Sequence, residues 1–239
     1  MRPSVSDGEY MMEEKRTKQA LKISVMGDSV STYEGWNPYG YAVYYKDDVA
    51  YENELRTVDD TWWMQVIRSV GGELCVNNSF SGSFVSDKSF VSACSEVRCS
   101  SLGRGDEPDV ILVYMGMNDR GYRVEIEMDK PDDPQYFYGG YRTMLRRLKA
   151  NYPLSKIICA TLPIGYKRDY ESVPTATELL EIVERYNEVI RQAVREENCY
   201  LADIALPCER YETLDYGHPT AQGHRTLAKL WLKCLNGLL

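Results

Sequence analysis

Leu21-Lys22-Ile23-Ser24-Val25-Met26-Gly27-Asp28-Ser29 decides the reading of this chain. Ile23 to Met26 is a short apolar run of the kind that forms a buried strand. Gly27, Asp28 and Ser29 all favour turns. A strand, a tight turn and then a serine present a hydroxyl at the carboxyl edge of a sheet, where ligands bind in open α/β folds. The matching imidazole lies far downstream. Only two histidines occur in 239 residues, and one stands in Asp215-Tyr216-Gly217-His218. A carboxylate three residues before an imidazole is placed to orient it as a base.

Outward from this first strand, five segments read as buried strands: Leu21–Met26, Glu73–Asn77, Val110–Met115, Lys156–Thr161 and Tyr200–Ile204. Each is followed by a helix-length stretch, which predicts repeated β-α units and a parallel sheet. Thr61–Val70 carries Trp62, Trp63, Val66, Ile67 and Val70 on one stripe, with Asp60 placed to cap it. Tyr141–Ala150 groups Tyr141, Met144, Leu145 and Leu148. The longest helix is expected from about Thr177 to Glu197, its apolar face running from Leu179 through Ile182, Val183, Tyr186, Val189 and Ile190 to Ala193. Thr175 and Glu178 make a capping-box pattern before it. The last helix is expected to begin at Pro219, a residue favoured at a first helical position, and to run toward Leu235.

The totals fit one α/β domain over residues 21–239, with 44% hydrophobic residues for its core and a polar extension at 1–20. A formal charge of −8 without a basic cluster argues against nucleic acid or an anionic membrane as partner. No apolar run approaches the roughly 20 residues that span a bilayer. The first 20 residues carry no apolar stretch of secretory type, so the expected location is the cytoplasm. The seven cysteines are an odd number with no CxxC pair, which reads as reduced structural thiols rather than a disulfide framework or zinc site. The oligomeric state is left open.

Three polar segments follow three strands: Gly27-Asp28-Ser29, Asn78-Ser79-Phe80-Ser81-Gly82 and Gly116-Met117-Asn118-Asp119. The alternation of strands and helices delivers them to one edge. A serine hydroxyl is a weak nucleophile at neutral pH, and needs a base to take its proton and a carboxylate to hold that base. Ser29, His218 and Asp215 fit these roles. Acyl transfer also builds an oxyanion, for which each aligned donor is worth roughly 2.7–4 kcal/mol. The candidate donors are the N–H of Ser29, the N–H of Gly82 and the side-chain amide of Asn118. Asp28 reads as a structural residue bonding to nearby backbone, and His224, inside the last helix, as non-catalytic.

These four blocks, with His218-Pro219 closing the last, resemble the SGNH hydrolases, also called the GDSL esterase/lipase family. The resemblance spans roughly residues 21–235. It implies a three-layer α/β/α sandwich, flavodoxin-like, with a five-stranded parallel sheet. It implies a metal-free and cofactor-free double displacement on esters or thioesters, through an acyl-enzyme. By position, Ser29 becomes the nucleophile, His218 the base, Asp215 its orienter, and Gly82 and Asn118 oxyanion donors. Val30 and Ser31 depart from the leucine-rich tail of many members.

Two insertions follow the motifs and are expected to overhang the site. Ser31–Leu55 holds Tyr33, Trp36, Tyr39, Tyr41, Tyr44, Tyr45 and Tyr51; Gly121–Tyr138 is acidic and aromatic. Tyr33, Trp36, Tyr39 and Tyr136 are the expected substrate contacts, forming a platform for sugar rings. Tyrosine and tryptophan in an acidic chain point to a small acyl group, acetyl, on a carbohydrate or similar polar alcohol as the small-molecule ester substrate. The competing readings are a lysophospholipase or thioesterase for longer acyl chains and a silent carbohydrate-binding protein. The intact Ser29, Asp215 and His218 set speaks against the latter.

Overall fold

The computed structural model describes residues 20–46 and 54–239. Residues 1–19 and Tyr51, named above, lie outside the described residues. The chain runs through β1 (Lys22–Gly27), α1 (Trp62–Ser69), β2 (Glu73–Asn77), α2 (Glu96–Cys99), β3 (Val110–Tyr114), α3 (Met117–Gly121) and α4 (Phe137–Asn151). It continues through β4 (Lys156–Ala160), β5 (Gly165–Lys167), α5 (Thr177–Glu196), β6 (Tyr200–Ala202), β7 (Tyr211–Thr213) and α6 (Ala221–Leu235).

The five expected strands form one parallel sheet in the order β2-β1-β3-β4-β6. β3 is buried along its whole length and β1 along all but Lys22, as continuous apolar strands are when helices cover both faces of a parallel sheet. α1 packs with α6, and α4 with α5. Trp62 of α1 stacks on Trp231 of α6, ring centroids 5.0 Å apart, so the first pair shares a large aromatic contact. This is the α/β/α sandwich that the family resemblance implied. β1 sits where the connections diverge: the chain leaves it toward β2 on one side and returns as β3 on the other. The crevice at the carboxyl ends of β1 and β3 is therefore the topological switch point. The β1–β3 register, which sets Gly27 opposite Tyr114, brings the segments after both strands there together.

Several local expectations change. Thr61, not Asp60, caps α1, accepting from the Met64 N–H at 3.3 Å. Asp60 ends a preceding 3-10 turn, Val58–Asp60, and its carboxylate turns back to the N–H groups of Arg56 and Thr57 at 2.9 and 3.0 Å. The Thr175–Glu178 capping box does not form. α5 starts after Ala176 with no side-chain cap, and Glu178 pairs instead with Arg123 at 3.1 Å. Leu179 lies exposed, and the buried face of α5 begins at Val183. Pro219 precedes the last helix; Thr220 caps it by accepting from the Gly223 N–H at 3.2 Å.

β5 and β7 make a separate two-stranded parallel sheet that the sequence pattern did not suggest. Each has three residues, too few for an alternation to be read. All seven cysteines are free, and burial pushes the Cys94 and Cys99 thiols up to about 12.

Candidate active site

The turn after β1 is held by its own side chains. Asp28 ends the strand and its carboxylate accepts from the Val30 N–H at 3.1 Å, capping a single 3-10 turn, Ser29–Ser31. Gly27 is required by close approach: a Cβ there would run into the side chains of Ser31 and Ser79. Asp28 is buried, and burial lifts its carboxyl to about 6 against the Val30 hydrogen bond and the nearby His218, both of which pull it down. Thr32 closes the turn, its hydroxyl donating to Ser29 O at 2.9 Å and accepting from the Tyr44 N–H at 2.8 Å.

The second half of the site hangs from β7. After Thr213 the chain doubles back: the Leu214 N–H donates to His218 O at 2.9 Å, and the Tyr216 N–H to the Thr213 hydroxyl at 2.9 Å. Within this loop the Asp215 carboxylate accepts from the backbone N–H groups of Gly217 and His218 at 3.0 and 2.8 Å and from His218 Nδ1 at 2.7 Å. Its partial burial works to raise the carboxyl, but these bonds from His218 and Gly217 outweigh it and hold it at about 2. The other ring nitrogen, Nε2, lies 2.9 Å from Ser29 Oγ. A hydroxyl, an imidazole and an ionised carboxylate thus form one hydrogen-bonded row, assembled across 189 residues of sequence.

α3 supplies the third part. The side-chain amide of Asn118 donates to Ser83 O at 2.9 Å. An amide nitrogen carries two N–H groups, so one remains for a ligand. Gly82 is exposed next to Ser83, at φ +79°, a left-handed conformation in which glycine is unstrained. Among the described residues, neither the Gly82 nor the Ser29 N–H has a protein acceptor. Ser29, Asn118, Asp215 and His218 line one open cleft of about 410 Å³, together with Val30, Met117, Arg120, Gly121, Tyr122, Tyr216 and Gly217. Gly82 stands beside that lining, joined to it through the Ser83–Asn118 bond.

The four expected substrate contacts do not line this cleft. The Tyr33 ring is buried in the core. Trp36 packs toward Trp63, ring centroids 6.3 Å apart, beside a different hollow at the β2 edge formed with Leu74 and Asn77. Tyr39 is fully exposed. Tyr136 takes up Lys130, whose ammonium lies 4.1 Å over its ring and 2.7 Å from its hydroxyl. The insertions do follow the strand-end motifs, and they meet the cleft through other rings: Tyr44 on His218 and Tyr122 in the lining.

Three residues to which the motifs assigned no role support the site. Tyr44 lies flat on the His218 imidazole, centroids 3.7 Å apart and planes 6° apart. Asp119, beside Asn118, is buried and accepts from Val85 N, Ser86 N and Ser86 Oγ at 2.7, 3.0 and 2.6 Å, fastening the segment after Gly82 to α3. Arg98 is fully buried and donates to Gly27 O, Asn78 O, Asn78 Oδ1 and Val91 O at 2.7 to 3.0 Å. It joins the ends of β1 and β2. Asn118-Asp119 was visible as a pair, whereas nothing in Cys94–Ser101 marks Arg98 as interior. His224 stays out of the cleft: it is buried in α6, its Nδ1 accepting from the Trp62 N–H at 3.1 Å, and burial drives it down to about 3.

The family model of GDSL-like lipase/acylhydrolase matches residues 21–231. No curated protein matches the chain's sequence. Among solved structures, a GDSL-like lipase from Bacteroides uniformis is similar with TM-score 0.71 and 26% identity, covering 92% of this chain and 97% of the other. A GDSL-like lipase from Bacteroides ovatus is similar with TM-score 0.70 and 22% identity, covering 92% of this chain and 100% of the other. An acetyl xylan esterase from Geobacillus stearothermophilus shares the fold at TM-score 0.56 and 20% identity, over 90% of this chain and 94% of the other. The chain belongs to the GDSL-like lipase/acylhydrolase family and is a carboxylic ester hydrolase.

Proposed function

We propose that the chain is a serine esterase that removes a small acyl group, acetyl, from a carbohydrate or similar polar alcohol, with Ser29, His218 and Asp215 as its triad. The observation that carries this reading is the row Ser29 Oγ–His218 Nε2–Asp215, with contacts of 2.9 and 2.7 Å. Asp215 accepts the Nδ1 proton, which leaves Nε2 unprotonated and facing the hydroxyl. Ser29 Oγ attacks the ester carbonyl while its proton passes to Nε2. The carbonyl oxygen gains the charge, and the N–H groups of Ser29, Gly82 and Asn118 are the donors suited to it. The tetrahedral intermediate collapses, the imidazolium gives its proton to the departing alkoxide, and the acyl group stays on Ser29. Water, deprotonated by His218, then attacks the acyl-enzyme; release of Ser29 returns the carboxylic acid and the free enzyme.

The short acyl group is supported by the cleft lining, in which Val30 and Met117 are the aliphatic side chains among mostly polar and phenolic ones. A long acyl chain calls for more apolar surface. The test is a series of p-nitrophenyl esters with the wild type and Ser29→Ala. The expected result is fastest turnover of acetate, a steep fall with chain length, and loss of turnover in a folded Ser29→Ala protein. Turnover retained in Ser29→Ala removes the triad; preference for long acyl chains transfers the reading to a lysophospholipase or thioesterase. Sugar binding without labelling of Ser29 by a fluorophosphonate makes the chain a binding protein.

A further inference from the structure

One charged side chain of the cleft has no task in the hydrolysis just described. Arg120 lies on α3, two residues beyond Asn118, and lines the same cleft as Ser29 and His218. It is half-buried. Its backbone N–H bonds to Gly116 O at 3.0 Å, but its guanidinium has no carboxylate, carbonyl or hydroxyl partner among the described residues. Its neighbour Arg123 shows the usual alternative, pairing with Glu178 at 3.1 Å. The chain holds 36 acidic against 28 basic residues, so acids to satisfy a second arginine are abundant. The one carboxylate lining the cleft, Asp215, is already committed to His218.

An arginine offers five N–H donors in a planar fork that matches a carboxylate. With a net charge of −8 the protein as a whole repels anions, so a substrate anion needs a local cation to be held. Tyr122 and Tyr216, both exposed on the same cleft, offer phenolic faces on which a sugar ring can lie. We infer that Arg120 is the subsite for an anionic group on the alcohol half of the ester, the fitting chemistry being the carboxylate of an acidic sugar. The inference rests on the ester-hydrolase reading above. It assigns the charge to the alcohol because a small acyl group has no room for one.

The test compares two acetylated sugars that differ only at C6: a mono-O-acetyl methyl glucuronide and the matching mono-O-acetyl methyl glucoside. Wild-type protein at low salt should hydrolyse the glucuronide with kcat/KM higher by about tenfold or more, the size expected of one charge-assisted hydrogen bond. The preference should shrink as salt is added. Arg120→Gln should abolish it, chiefly through KM for the glucuronide, and Arg120→Lys should restore part of it. A second pair, p-nitrophenyl hemisuccinate against p-nitrophenyl butyrate, places the charge on the acyl half instead. Preference for the charged member of that pair alone overturns the assignment to the alcohol. Equal hydrolysis of both sugars by wild type overturns the subsite even if Arg120→Gln fails to fold. Hydrolysis of none of the four esters, with Ser29 unlabelled by a fluorophosphonate, is the distinct failure of the esterase reading itself.

Discussion

Tyr44 and His218 are two flat rings in parallel contact, 3.7 Å apart, and that contact has a consequence for the chemistry proposed. In the proposed mechanism His218 becomes an imidazolium as Ser29 attacks, and a phenol face stabilises a cation above it. The ring also blocks one side of the imidazole, so that it cannot swing away from Ser29 Oγ. Tyr44 is itself held through Thr32, whose hydroxyl ties the Tyr44 N–H to Ser29 O. Tyr44→Ala is therefore expected to lower kcat by about two- to thirtyfold, the range of one such contact. KM should change little. Tyr44→Phe, which keeps the ring, should retain most of the activity, and steady-state kinetics on p-nitrophenyl acetate checks both. The sequence could not have named this residue. Tyr44 is one of seven aromatics between Ser31 and Leu55, and spacing does not reveal which of them meets a ring 174 residues away in the chain. Ser29, Asp215 and His218 stood out as candidates for the opposite reason: the chemistry proposed for them depends on residue types that little else in a turn would require.

At the scale of elements, the strands were legible because burial on both faces leaves continuous apolar runs. β1, β3 and β4 fall within one or two residues of their sequence expectations. The caps were harder to read. Asp60 and Thr61 are adjacent and both able to cap, and only the preceding 3-10 turn decides which does. What joins the elements was least legible. Arg98 arises from a stretch of serines and charges that reads as surface, yet it is buried at the ends of β1 and β2. Burial pulls its guanidinium down to about 10. Four oxygens accept from it, three of them backbone carbonyls. Arg98→Met keeps much of the volume and deletes every donor, leaving Asn78 O, Asn78 Oδ1 and Val91 O without this partner, while Gly27 O keeps the Phe80 N–H at 3.1 Å. Each stranded acceptor costs about 1–3 kcal/mol, so the variant should lose at least about 3 kcal/mol of stability, read as a lower urea midpoint. Because Gly27 and Asn78 flank the Ser29 turn and the Gly82 segment, its activity should fall while the fold persists at low temperature. Unfolding equal to wild type would mean that the buried cation contributes nothing to this junction.

For the whole molecule, two buried titratable groups act against each other as pH changes. His224 lies in α6 with its ring wholly enclosed, held at about 3 by burial and, to a smaller degree, by repulsion from His218. The unfolded chain takes up that proton near the ordinary histidine value of about 6.5. Between these values the unfolded state carries a proton that the native state refuses. The stability this group contributes is present above about pH 6.5 and is lost as pH falls toward 3. Asp28 runs the other way. Burial raises its carboxyl to about 6, against an ordinary value near 3.9, so here the native state keeps a proton that the unfolded state has released. Its contribution is full below about pH 3.9 and is lost as pH rises through about 6. From about pH 4 to 6 the two slopes have opposite signs and similar size, each corresponding to one proton. The contributions of these two groups should nearly cancel there, and single substitutions should expose each slope. Asp28→Asn, which can still accept from the Val30 N–H, should leave a protein that loses stability steadily as pH is lowered below 6.5. His224→Gln, after allowance for its lost packing, should leave one that loses stability as pH rises from 4 to 6. Urea unfolding of the wild type and both variants at several pH values measures all three slopes. A wild-type profile that stays unchanged in slope when either group is replaced would show that neither proton is coupled to folding.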